Sequence, residues 1–150
     1  MSTKNVSMID ISEKPHIKRT ATAVGKIVLS KNSINILREG KIKKGDPLVV
    51  GKVAAINAIK MTPQLIPLCH QIPITNIEFE AEIEDTSVTT KVTVTTIAQT
   101  GVEMEALVGV STFLNVIWDM TKYLEKDEQG QYPHTKITDI EVIEKKKINI

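Results

Sequence analysis

The chain of 150 residues has one cysteine, Cys69, only two arginines and five aromatic residues. A single cysteine rules out an intramolecular disulfide, so a reducing, cytoplasmic compartment is expected. No apolar run approaches the ~18–20 residues needed to cross a bilayer. The opening stretch MSTKNVSMIDISEKP carries charges of both signs and lacks a signal peptide's apolar core. With only Phe79, Phe113, Trp118, Tyr123 and Tyr132 available, the core must rest on Ile, Val and Leu. A stacking surface for single-stranded nucleic acid is correspondingly hard to assemble. Nineteen basic against eighteen acidic residues leave a net charge of +1, with no global pull toward polyanions. His16, His70 and His134 are scattered, and no C-x-x-C or H-x-x-x-H pair occurs, so no metal site is expected. The glycine patterns of a P-loop and of a dinucleotide fold are also missing.

What is present reads as one α+β domain. Residues 1–15 form an expected flexible lead-in ended by Pro15, and residues 16–150 a single α+β domain. Lys18–Leu29 is rich in β-branched and small residues and predicts a strand, with Gly25 as a bulge. Asn32–Glu39 predicts a short helix closed by Gly40. Asp46 and Pro47 make a helix start, and Val49, Val50, Val53, Ile56 and Ile59 recur at helical spacing as its apolar face. That helix is expected to stop before Pro63, leaving Pro63–Pro73 as an ordered, extended loop. Two strands follow. In the first, Ile77, Phe79, Ala81 and Ile83 alternate with Glu78, Glu80, Glu82 and Glu84; the second runs from Val88 to Ile97. The longest helix, Gly101 to Glu125, carries an apolar seam through Leu107, Val110, Leu114, Ile117, Thr121 and Leu124. A final strand, Thr135–Ile143, precedes three lysines. The order β-α-α-β-β-α-β predicts a ferredoxin-like antiparallel sheet with helices on one face. Its other face must then be polar or covered by a partner.

Several constellations admit both structural and chemical readings. The proline-stiffened loop Leu65-Ile66-Pro67-Leu68-Cys69-His70 displays Cys69 and His70 side by side. His70 is either satisfied by a backbone carbonyl or a polar reader of a ligand. Thr100 and Glu103 have capping-box spacing, and Glu105 suits the first helical turn, so both acids have a structural explanation. Asp119 and Lys122 lie three apart on the same helix, away from the seam. They are either a surface ion pair or an acid/base pair in which neighbouring lysines lower the lysine's pKa. Glu105 and Asp119 face nearly the same way but sit about 21 Å apart along the axis, too far for one small substrate. Arg19, one of only two arginines and set in a Thr- and Ala-rich strand, offers a fork suited to phosphate oxygens. Lys44, Lys52, Lys60 and Lys145–Lys147 are the other basic candidates.

Taken together, MIDISEK at 8–14, Lys44-Gly45-Asp46, LIPLCH at 65–70, TGVEMEAL at 100–107 and Trp118-Asp119-Met120-Thr121-Lys122 resemble the cyclic pyranopterin monophosphate synthase family, molybdenum cofactor biosynthesis protein C. The resemblance runs from Met8 to about Lys145. It implies a lyase that rebuilds a cyclised dihydroguanosine triphosphate into cyclic pyranopterin monophosphate and releases pyrophosphate, with no cofactor. It also implies a homohexamer, a trimer of dimers with active sites between subunits. Carried over by position, Asp119, Lys44, Lys122 and Lys145 match catalytic positions. Leu68, Cys69, His70, Glu103, Met104, Glu105, Arg19 and Lys60 match substrate-binding positions. Gln71 replaces the family's usual proline after the histidine, and the chain lacks the usual glycine- and lysine-rich tail, so Lys147 competes with Lys145 for the last role. The alternative is a guanine-nucleotide-binding module of the same fold without turnover, which would have no need of Asp119. An RNA-binding ferredoxin-like domain would need exposed aromatics on its central strands, and Phe79 falls instead on the apolar alternation.

Overall fold

A computed structural model describes residues 5–149; residues 1–4 of the expected lead-in, and Ile150, lie outside the described residues. The seven predicted elements appear in their expected order, with a short helix, α3, added before the second strand: β1 (Ile17–Val28), α1 (Lys31–Arg38), α2 (Pro47–Lys60), α3 (Thr62–Leu65), β2 (Ile74–Ile83), β3 (Ser87–Ala98), α4 (Glu103–Glu125) and β4 (Lys136–Ile148). The strands form one antiparallel sheet in the order β2-β3-β1-β4. That is the ferredoxin-like α+β arrangement. Helices α2 and α4 pack on each other, and α4 lies on β1 and β3. Ala21, Ala23 and Ile27 of β1 and Val88, Val92 and Val94 of β3 meet Val110, Phe113, Leu114 and Ile117 of α4, all fully buried. The opposite face of the sheet is polar, and the Thr22 and Thr93 hydroxyls bond across it at 2.7 Å. Among the described residues no helix is long and apolar enough to cross a membrane.

Four local expectations are corrected. Gly25 does lie at a register shift, but the extra residue is on β4: Val24 pairs with Glu141 and Lys26 with Thr138. Asp139 takes φ +58° there. Gly25 is instead required by close approach, since a Cβ would stand 2.6 Å from Val110 Cγ1 and 2.8 Å from Leu114 Cδ1. On α2 the helix start is as read, with Asp46 accepting from the Leu48 N–H at 2.9 Å. Its buried face, however, is Pro47, Gly51, Ala55 and Ile59, while Val49, Val50 and Val53 point outward. Pro63 does not begin an extended loop: it sits in the first turn of α3, where a missing N–H costs nothing, and the Thr62 hydroxyl donates to the Ile59 carbonyl at 2.8 Å. Finally, β4 runs through the three lysines, pairing Lys145 with Ala21 and Lys147 with Arg19.

Candidate active site

The start of α4 differs from its expected form. Val102 occupies the cap position, no side chain caps the helix, and Thr100 and Glu103 make no reciprocal pair. The Glu103 carboxylate turns back over Gly101, close enough that a Cβ there would sit 2.9 Å from its Cδ. Its Oε1 lies 3.6 Å from Lys145 Nζ and has no hydrogen-bond partner. The capping explanation for Glu103 therefore falls away, and its buried oxygen has the Lys145 charge nearby but no hydrogen-bond donor, an arrangement that leaves it able to accept from a bound group.

Glu103, Met104 and Glu105 face a cleft of about 350 Å³ whose other side is Leu68, Cys69 and His70. The proline-rich segment places these three there. Ile66 bonds back to Thr62 at 2.8 Å and Cys69 to Ile66 at 3.0 Å, so α3 and the turn after it set the loop's path. Glu105 is buried; burial first, then the charge of Glu103, pushes its carboxyl above the usual range. Burial and the charge of Glu105 push the Cys69 thiol up as well, which makes it a poor nucleophile. His70 Nε2 lies 2.6 Å from the Ile9 carbonyl. A carbonyl only accepts, so Nε2 carries the hydrogen and Nδ1 is left for another partner. Residues 7–14 thus close the third side of the cleft, with Ser7, Ile9, Ile11 and Lys14 lining it. Lys60 lies in an adjoining hollow of about 170 Å³ that Glu105 also lines.

A second cluster lies further along α4. Asp119 Oδ2 accepts from Lys44 Nζ at 2.9 Å, and its Oδ1 pairs with Lys122 Nζ at 3.0 Å. The Lys44 and Lys122 bonds hold the Asp119 carboxyl below its ordinary value. Lys122 is raised rather than lowered, because its neighbour is Asp119 and not another lysine. Lys44 reaches the cluster because the turn before α2 is docked on α4, where the Lys43 N–H donates to Tyr123 Oη at 3.0 Å. All three side chains are about half exposed.

The two clusters are not joined within one chain. Glu103, Glu105, Lys145, Leu68, Cys69 and His70 gather at one end of α4, and Lys44, Asp119 and Lys122 at the other. Arg19 is buried, and its guanidinium donates to the Ala98 carbonyl at 3.2 Å and the Gln99 carbonyl at 3.4 Å. Of the candidate residues, only Lys146 lines either of two hollows on the open sheet face. Among the described residues, no group of three or more His, Cys, Asp or Glu side chains is placed to hold a metal.

The MoaC family model matches residues 8–147, nearly the whole chain, and spans both clusters. The chain belongs to the MoaC family. Relatives agree with the match. A Methanosarcina acetivorans protein named "Probable cyclic pyranopterin monophosphate synthase" is 52% identical over 140 residues, covering 93% of this chain and 89% of that one. An Aeropyrum pernix protein of the same name is 49% identical over 140 residues, 93% of this chain and 96% of that one. A Methanothermobacter thermautotrophicus protein named "Probable cyclic pyranopterin monophosphate synthase accessory protein" is 49% identical over 147 residues, 98% of this chain and 92% of that one.

In this MoaC family chain, sequence reasoning missed the part played by residues 7–14 as a cleft wall. The segment carried the resemblance through MIDISEK but offered no chemistry of its own. It also missed Glu125, buried at the end of α4, which reads in sequence as an ordinary terminal acid.

Proposed function

We infer that this chain converts cyclised dihydroguanosine triphosphate into cyclic pyranopterin monophosphate with release of pyrophosphate, a lyase step of molybdenum cofactor biosynthesis, in keeping with relatives named probable cyclic pyranopterin monophosphate synthase. One observation carries the reading: Asp119 bonds two lysines in an open cluster while Glu103, at the other end of the same helix, turns a carboxylate oxygen without a hydrogen bond toward Lys145 at a cleft. A binding module would have use for the cleft but none for the charge triad.

The roles follow from chemistry. Glu103 and Glu105 accept from N–H donors of the guanine-type edge, and His70 offers Nδ1 from the opposite wall. With its pKa raised, Glu105 passes between donor and acceptor more readily than an ordinary carboxylate. Leu68, Cys69 and Met104 pack against the ring system. Lys44, Lys60, Lys122 and Lys145 meet the triphosphate and the charge developing on departing pyrophosphate. Arg19, turned inward on Ala98 and Gln99, shapes that side of the cleft. Asp119, flanked by Lys44 and Lys122, exchanges protons during ring rearrangement. The last strand favours Lys145 over Lys147 for the remaining role, since Lys145 reaches Glu103.

About 21 Å of helix separates Glu105 from Asp119, so a complete site takes one end of α4 from each of two subunits. A homohexamer built as a trimer of dimers satisfies this. The outward Val49, Val50 and Val53, 45–60% exposed, form the apolar patch that another subunit would cover. The assembly works in the cytoplasm.

The test is formation of pyrophosphate and pyranopterin from the cyclised triphosphate by wild type and Asp119→Asn. Turnover by wild type, and loss of several orders of magnitude in the variant with binding retained, is the expected result. Tight binding without turnover by wild type would leave only the nucleotide-binding module. Equal rates would move the proton-transfer site away from Asp119.

A further inference from the structure

The cleft wall formed by residues 7–14 is weakly anchored by packing. Ile9 is 76% exposed and Met8 48%. Among the described residues, side-chain hydrogen bonds join this segment to the rest of the chain from two donors. One is His70, on the Ile9 carbonyl. The other is Gln99, whose Nε2 donates to the Ser12 carbonyl at 3.3 Å and the Lys14 carbonyl at 3.2 Å. Gln99 is itself held from behind, because Arg19 grips its carbonyl and that of Ala98. A buried guanidinium therefore fixes the backbone at the end of β3, and the amide side chain at that point fixes the wall. Lys14, whose carbonyl Gln99 holds, lines the cleft and brings a cation to a pocket that otherwise presents Glu103 and Glu105.

We propose that Gln99 is a positioning residue for the substrate cleft: by seating residues 12–14 it holds Lys14 where the anionic substrate enters. The proposal rests on the reading of this cleft as the substrate site. It requires a donor at position 99. A carboxylate of the same shape would set an oxygen against two carbonyl oxygens, whereas a lysine ammonium could still donate to both.

The test compares steady-state kinetics on the cyclised triphosphate for wild type, Gln99→Glu, Gln99→Lys and His70→Ala. Hydrogen exchange of the peptide covering residues 5–16 is measured alongside. Gln99→Glu should raise KM about tenfold, the factor carried by two net hydrogen bonds of ordinary strength, and leave kcat nearly unchanged. Exchange in residues 9–14 should rise with it. Gln99→Lys should restore both, which separates a donor requirement from a general loss of fold. If Gln99→Glu speeds exchange but leaves KM unchanged while His70→Ala raises it, the proposal falls and the cleft stands. If His70→Ala also leaves KM unchanged, the cleft reading falls and takes the proposal with it. A KM raised equally in Gln99→Lys refutes the donor role.

Discussion

Glu125, at the C-terminal end of α4, should be worth more to stability than any exposed ion pair in this protein. Its Oε2 accepts from Ser30 Oγ at 2.7 Å and from Ser33 Oγ, and its Oε1 accepts from Thr135 Oγ1 at 2.7 Å. The Ser30 N–H points between the two oxygens at 3.1 Å from each. One carboxylate thus joins the start of α1, the end of α4 and the approach to β4. Burial pushes its pKa up, but the donors from Ser33, Ser30 and Thr135 outweigh it and the net shift is downward. In Glu125→Gln the serine and threonine hydroxyls can rotate to accept from the new NH₂, while the Ser30 N–H cannot. The cost is therefore about 1–3 kcal/mol rather than the sum of four bonds. For a chain of this length that lowers Tm by about 3–10 °C at neutral pH. The pH dependence has a definite sign. A depressed folded pKa stabilises above the unfolded value, near 4.5, and that contribution is lost as pH falls through the folded value. Thermal melts followed by circular dichroism at pH 7 and pH 3.5, at equal protein concentration, should show the gap between wild type and variant closing in acid. A gap that stays constant with pH, or is absent at pH 7, would refute the reasoning.

Two further outcomes follow from contacts elsewhere on α4. Gly25→Ala forces a methyl against Val110 and Leu114 and should cost about 1–3 kcal/mol in denaturant unfolding; Val110→Ala in the same chain should recover part of it, and purely additive losses would disprove the clash. Glu105 has the opposite pH behaviour to Glu125: its raised folded pKa means stability falls as pH rises from about 4.5 toward the folded value. Glu105→Gln should remove that decline and be at least as stable as wild type at pH 7 while binding substrate less well. A urea midpoint below that of wild type at pH 7 would count against a penalised charge.

Much of the fold was legible because its signals are periodic. The Ile77–Ile83 alternation and the Val110, Leu114, Ile117 seam each have one apolar face and so only one way to pack. Helix α2 is apolar on nearly every side, so spacing could not say which side faces inward. The smaller Gly51 and Ala55, not the valines, allow it to approach α4. The lysines at 145–147 look like a solvated tail until pairing with β1 extends the strand through them. At the site, LIPLCH and TGVEMEAL are local strings and could be read directly. The contacts of Ile9 with His70 and of Ser12 with Gln99 join residues 61 and 87 positions apart, which no local pattern encodes. The capping-box spacing of Thr100 and Glu103 was misleading for the same reason. A cap is settled by where the chain enters the helix, and here the carboxylate has a partner near it on β4 instead.

The close approach of α4 to the sheet at Gly25 has a mechanical consequence. Gly25 admits Val110 and Leu114 into a gap with no room for a methyl group, and those two residues stand midway between Glu105 and Asp119. The helix is therefore a rod held near its middle, with one candidate cluster at each end. Any wedge at the fulcrum tilts both tips at once and in opposite directions. A disturbance confined to one tip meets that close contact before it reaches the other, so substitutions at the two ends should combine additively in stability measurements.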